Sequence, residues 1–91
     1  MPTKVCKRVL YEGRVQGVGF RFTAIELAAG YAVAGHVRNL PTGEVELVAE
    51  GVADQLDGFL AAVAEQMAGN IARSTVQESP PTGQAGFHVR S

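Results

Sequence analysis

The chain has 91 residues, 46% of them hydrophobic, and a formal net charge of −1 at pH 7. That balance suits one compact domain over 1–91, is too apolar for a disordered chain, and gives nucleic acid no global basic field to bind. No apolar run approaches the ~20 residues of a membrane helix, Met1-Pro2-Thr3-Lys4-Val5 lacks a signal peptide's apolar segment, and the single cysteine, Cys6, leaves no internal disulfide, so a reducing cytoplasm is the expected compartment.

Val5 to Tyr11 reads as a first strand. Val5, Val9 and Tyr11 share one parity, with Cys6 and Leu10 on the other, and apolar groups on both predict a central strand. Cys6 there reads as a small sheet residue rather than a nucleophile. After a glycine-bearing loop, Phe20, Ala24, Leu27, Ala28 and Tyr31 recur at helical spacing, which predicts a helix from Phe20 or Phe22 to Ala29. Thr23 and Glu26 have capping-box spacing near its start, and Gly30 is a stop signal. Val33 to Arg38 reads as a second strand, and Leu40-Pro41-Thr42-Gly43 supplies turn chemistry. Glu44 to Glu50 alternates cleanly, with Val45, Leu47 and Ala49 on one side and Glu44, Glu46, Val48 and Glu50 on the other, so a hairpin with one solvated acidic face is expected.

The stripe Leu56, Phe59, Leu60, Val63 and Met67 predicts a second helix over Asp54 to Met67. Asp54 and Asp57 fall in its first turn, where the helix dipole favours them. The hairpin signal of Asp57-Gly58 yields to that helical period. Gly69 and Asn70 end the helix. Ala72 to Ser79 and Phe87 to Arg90 read as the last strands, around the loop Pro80-Pro81-Thr82-Gly83. The order β-α-β-β-α-β plus a short C-terminal strand predicts an α+β fold, the ferredoxin-like α/β sandwich. Both helices then pack on one face of a mostly antiparallel sheet.

The chemistry concentrates in Gly13-Arg14-Val15-Gln16-Gly17-Val18-Gly19-Phe20-Arg21, between the first strand and the first helix. The first N–H groups of a helix lack intrahelical partners, and the dipole adds positive potential there. Gly17 and Gly19 allow loop amides to bend toward one point. Arg21 adds a planar, permanently charged fork that fits phosphate in two-point fashion. The loop amides of Gln16, Gly17, Val18, Gly19 and Phe20, together with Arg21, are therefore candidates for holding a phosphate-sized anion. A tight turn beside a surface arginine is the plainer reading of the glycines alone.

This stretch resembles the signature Gly-x-Val-Gln-Gly-Val-x-Phe-Arg of the acylphosphatase family. Val37-Arg38-Asn39-Leu40-Pro41-Thr42-Gly43-Glu44-Val45 is similar to the family's second signature, and the resemblance runs from about Lys4 to Arg90. It implies a hydrolase of the carboxyl–phosphate anhydride in acyl phosphates, releasing inorganic phosphate. It also implies that Arg21 binds the phosphoryl group and that Asn39 positions the attacking water. Without the flanking motif, Asn39 would read as a turn residue. An amide donates and accepts at fixed angles but is a poor general base; the resemblance implies that the proton passes instead to a phosphoryl oxygen of the substrate.

No cofactor or metal is expected, because His36 and His88 stand alone on separate segments. A monomer is the simplest assembly. Arg14 and Arg38 read as solvated surface residues, and Glu44, Glu46 and Glu50 as a solvated face. Family members often carry Gly-Trp-Val-Arg-Asn where this chain has Gly35-His36-Val37-Arg38-Asn39, a change that bears on packing, pH dependence or acyl preference. The alternatives are a non-catalytic binding module and a carbamoyl-phosphate-handling domain of the same fold. An RNA-binding sheet would stack bases on strand aromatics, and Glu44 to Glu50 offers none.

Overall fold

A computed structural model describes residues 3–90 of the chain. The elements run β1 (Lys4–Gly13), α1 (Phe20–Ala28), β2 (Val33–Asn39), β3 (Val45–Val52), α2 (Ala53–Gln66), β4 (Ile71–Ser79) and β5 (Phe87–Arg90). The sheet order is β4-β1-β3-β2-β5. All neighbours are antiparallel except β2 and β5, which run parallel. β1 is an interior strand, as its two apolar parities predict, and the ferredoxin-like sandwich is the fold observed.

Alternation on β1, β2 and β3 assigns the two faces. Val9, Tyr11, Val37, Val45, Leu47 and Ala49 bury against Phe20, Ala24 and Ala28 of α1 and Leu56, Phe59 and Val63 of α2 in one cluster. Each fully buried Leu or Phe in such a cluster contributes roughly 1.5–3 kcal/mol. Gly58 belongs to α2, where a Cβ would sit 2.9 Å from Tyr31 Cε1. The glycine thus admits the Tyr31 ring against the helix, and no hairpin forms there.

The capping expectation for α1 is corrected. Gly19 is the N-cap, in the left-handed region at φ 81°, and Thr23 lies inside the helix, donating its N–H to the Gly19 carbonyl at 2.9 Å. Gly30 lies past the end of α1 but is not left-handed.

The expected solvated acidic face of β3 is also corrected. Glu46 and Glu50 are each only 4% exposed. Glu46 accepts hydrogen bonds from Arg8 Nε and Arg38 Nε, both at 2.6 Å. Glu50 accepts the Thr82 N–H at 3.0 Å, the Thr82 hydroxyl at 2.8 Å and the Gly83 N–H at 2.9 Å. The segment 80–86 therefore crosses the helix-free face as a strap. It delivers β5 to the edge of β2, where the Phe87 ring meets Phe59 at 5.3 Å.

Candidate active site

The end of β1, the start of α1 and the end of β2 converge on a cleft of about 470 Å³. Its lining residues are Val15, Gly17, Gly19, Phe20, Arg21, Phe22, Ile25, Asn39 and Val89. Val15 and Phe20 are buried and form its floor, and the Phe20 ring lies 4.8 Å from that of Tyr11. Burial pushes the Tyr11 phenol pKa up, so this supporting ring stays neutral.

Gly17 and Gly19 adopt φ of 74° and 81°, with no positive-φ residue between them. A Cβ on either would meet nothing within 4 Å. Glycine is therefore required by backbone conformation and not by crowding. Alternating left-handed residues turn successive N–H groups into an anion-holding concavity. Because the first intrahelical bond runs from Thr23 to Gly19, the N–H groups of Phe20, Arg21 and Phe22 have no helical acceptor. Arg21 is exposed at this mouth, and no carboxylate among the described residues pairs with it.

Asn39 projects from the helix side of β2, on the parity of Val37. Its Oδ1 is buried and has no hydrogen-bond partner. The neighbouring Arg38 is turned to the other face and held by Glu46, so it is not the free surface residue that its position suggests. Arg14 is exposed, and its backbone N–H bonds to Asn70 O at 2.9 Å.

Among the sequence-predicted residues, the cleft brings together Gly17, Gly19, Phe20, Arg21 and Asn39. Gln16 and Val18 belong to the same loop without lining it. The Gln16 side chain nonetheless has a contact that its sequence position did not reveal. Its Nε2 donates to Leu40 O at 2.8 Å and Glu44 O at 2.9 Å, which clamps the glycine loop to the hairpin that follows Asn39. Phe22, Ile25 and Val89 were also missed as lining residues; Phe22 adjoins Arg21 and Ile25 lies one turn further along α1, and only the long-range β5 pairing places Val89.

His36 lies on the helix-free face, outside the cleft. Its Nδ1 is 3.2 Å from Gln84 Oε1 and its Nε2 is 3.9 Å from Glu46 Oε1. Its replacement of the family's tryptophan thus bears on the packing of the strap. Among the described residues no group of three His, Cys, Asp or Glu side chains converges as a metal site would require.

The comparisons with known proteins agree with this geometry. Residues 7–89 match the family model for acylphosphatase. The chain belongs to the acylphosphatase family. An acylphosphatase of Methanospirillum hungatei is 39% identical over 88 residues, 92% of this chain and 97% of that one. One from Thermus thermophilus is 40% identical over 81 residues, 88% and 92% of the two chains. The crystal structure of the Bacillus subtilis acylphosphatase superposes with a TM-score of 0.86 at 32% identity, covering 96% of this chain and 99% of that chain. A full-length HypF solved in a phosphate- and nucleotide-bound form has a TM-score of 0.86 at 24% identity, but this chain spans only 12% of it; that likeness concerns the fold. Family and fold together identify an acylphosphatase enzyme, a hydrolase of small-molecule acyl phosphates. No helix among the described residues is long and apolar enough to cross a membrane.

Proposed function

We propose that the chain, acting over 1–91 as a single monomeric unit in the cytoplasm, hydrolyses acyl phosphates without a metal. Arg21 and the loop amides of Gln16 to Phe20 hold the phosphoryl oxygens, and Asn39 orients the water. The observation that carries this reading is that Asn39, Arg21 and the two left-handed glycines line one cleft. The Asn39 carboxamide both donates and accepts hydrogen bonds at fixed angles, which suits it to orienting a water in that cleft.

Phosphoryl transfer of this kind has a loose transition state with charge spread over the phosphoryl oxygens. Positioning and electrostatic stabilisation are then the protein's main tasks. Arg21 and the helix-start amides meet that charge. The Asn39 side-chain amide hydrogen-bonds the water without taking a proton and aims its oxygen at phosphorus. The new P–O bond forms as the bridging P–O bond breaks, and the carboxylate leaves with its electron pair. One water proton passes to a phosphoryl oxygen and the other stays on the newly bound oxygen, giving carboxylate and inorganic phosphate.

Hydrolysis in ¹⁸O-labelled water tests this directly. Attack at phosphorus places the label in inorganic phosphate. Label in the carboxylate would mean attack at the acyl carbon, and the role given to Asn39 would be wrong.

A further inference from the structure

Of the four exposed large hydrophobic side chains among the described residues, Phe22 and Val89 line the cleft and Val18 sits between the lining glycines Gly17 and Gly19. Only Val76 lies elsewhere, on the edge strand β4. Single exposed apolar residues are ordinary on protein surfaces. Three grouped at one mouth are not scatter. Phe22, on the first turn of α1, is 63% exposed, and Ile25 follows one turn later on the same helix face.

The cleft has two chemically distinct ends. Its only charged lining side chain is Arg21 and its only side-chain amide is Asn39, and both belong to the phosphoryl end. The remaining side chains, Val15, Phe20, Phe22, Ile25 and Val89, are all apolar. The volume of about 470 Å³ exceeds what a phosphoryl group fills and falls in the usual range of small-molecule sites. In an acyl phosphate one bridging oxygen separates phosphorus from the acyl carbon. A phosphoryl group held at Arg21 therefore leaves the acyl group inside the same cleft, whose other lining side chains apart from Asn39 are apolar.

We propose that Phe22, Ile25 and Val89 form an acyl subsite that selects acyl phosphates with a bulky apolar acyl group over those with small or polar ones. The proposal rests on the assignment of Arg21 and the loop amides to the phosphoryl end. No lining cation is left to pair with an acidic acyl chain. The apolar wall offers no partner to a carbamoyl amino group, which would be desolvated at a cost. Two separate elements build the wall, α1 through Phe22 and Ile25 and β5 through Val89.

The test compares kcat/KM for benzoyl, acetyl and carbamoyl phosphate in wild type, Phe22→Ala, Val89→Ala and, as a control on a distant exposed valine, Val76→Ala. Intrinsic reactivity of the substrates cancels when ratios are compared between variants. The benzoyl-to-acetyl ratio should fall about tenfold in Phe22→Ala, the low end of hydrophobic-pocket discrimination because this wall is half open. It should fall in the same direction in Val89→Ala and hold in Val76→Ala. The exposure of Phe22 and Val89 makes loss of folding an unexpected result, and the two variants are independent.

Unchanged ratios in both cleft variants, or equal losses on all three substrates, would overturn the subsite while leaving the phosphoryl assignment standing. An Arg21→Ala enzyme that kept wild-type rates on all three would instead remove the assignment on which the subsite rests.

Discussion

The Asn39 side chain lines the cleft and makes no hydrogen bond to another described residue. Removing the group should therefore not weaken the fold, while it should remove the hydrogen bond that aims the water. We expect Asn39→Ala to lower kcat by about 10²–10³-fold, the loss typical of one preorganised polar group. KM should change little and the melting temperature should be no lower than wild type. Steady-state kinetics with a thermal melt check both halves. A raised KM with kcat intact would show that Asn39 binds substrate and does not position water. At this scale the sequence was informative where a residue type is chemically forced: Gly17 and Gly19 at positive φ, and an arginine at a helix start. It was silent on Gln16, because a side chain that spans to Leu40 O and Glu44 O leaves no trace in its own neighbourhood.

Helices and strands were legible wherever a period shows: both apolar stripes, the β2–β3 hairpin and the short last strand fall close to where alternation and turn residues put them. The misread parts share one physical cause. Alternation says which side chains share a face of β3, not what covers that face. Glu46 and Glu50 look solvated in sequence, and they are covered by Arg8, Arg38 and the 80–86 strap, all supplied from elsewhere in the chain. Similarly, a Thr-x-x-Glu spacing cannot tell a cap from an interior turn, and the left-handed Gly19 starts α1 instead.

The strap makes a prediction of its own. Both Glu50 oxygens accept donors, and in Glu50→Gln one oxygen is replaced by an amide nitrogen that faces an N–H or hydroxyl donor. Loss of a charge-assisted hydrogen bond costs about 1.5–3 kcal/mol. Urea unfolding should report a loss of that size, and amide exchange in 87–90 should quicken ahead of the rest of the sheet. Exchange that stayed uniform across the sheet would show that Glu50 does not hold β5.

Across the whole molecule the Cα radius of gyration is 12.1 Å, matching the ~12 Å of a compact domain of this length. Two buried carboxylates tie that domain's stability to pH. Burial alone would raise the pKa of Glu46. The hydrogen bonds and charges of Arg38 and Arg8 outweigh that effect and hold it below the ordinary value. For Glu50, burial is likewise outweighed, by donors from Thr82, Gly83 and Gln84. A carboxylate with a depressed folded-state pKa contributes stability above its unfolded pKa of ~4.3 and loses it as pH falls through the folded value. The urea midpoint should accordingly decline below pH ~4.3, and the decline should be shallower in a Glu46→Gln, Glu50→Gln double variant. A midpoint that rose toward acid would contradict this assignment.

The parallel pairing of β5 with β2 was not readable from local pattern, because it depends on where the strap runs. It is nonetheless what brings Val89 to the cleft and completes a site built from the loop, α1 and β2. The central claim is that this cleft hydrolyses acyl phosphates with Arg21 and no metal. The most direct measurement is benzoyl phosphate hydrolysis by wild type and by folded Arg21→Lys, each with and without EDTA. The account predicts that wild-type turnover is unchanged by EDTA and collapses in Arg21→Lys, because an ammonium cannot reproduce the guanidinium fork. Turnover abolished by EDTA, or preserved in the lysine variant, would contradict it.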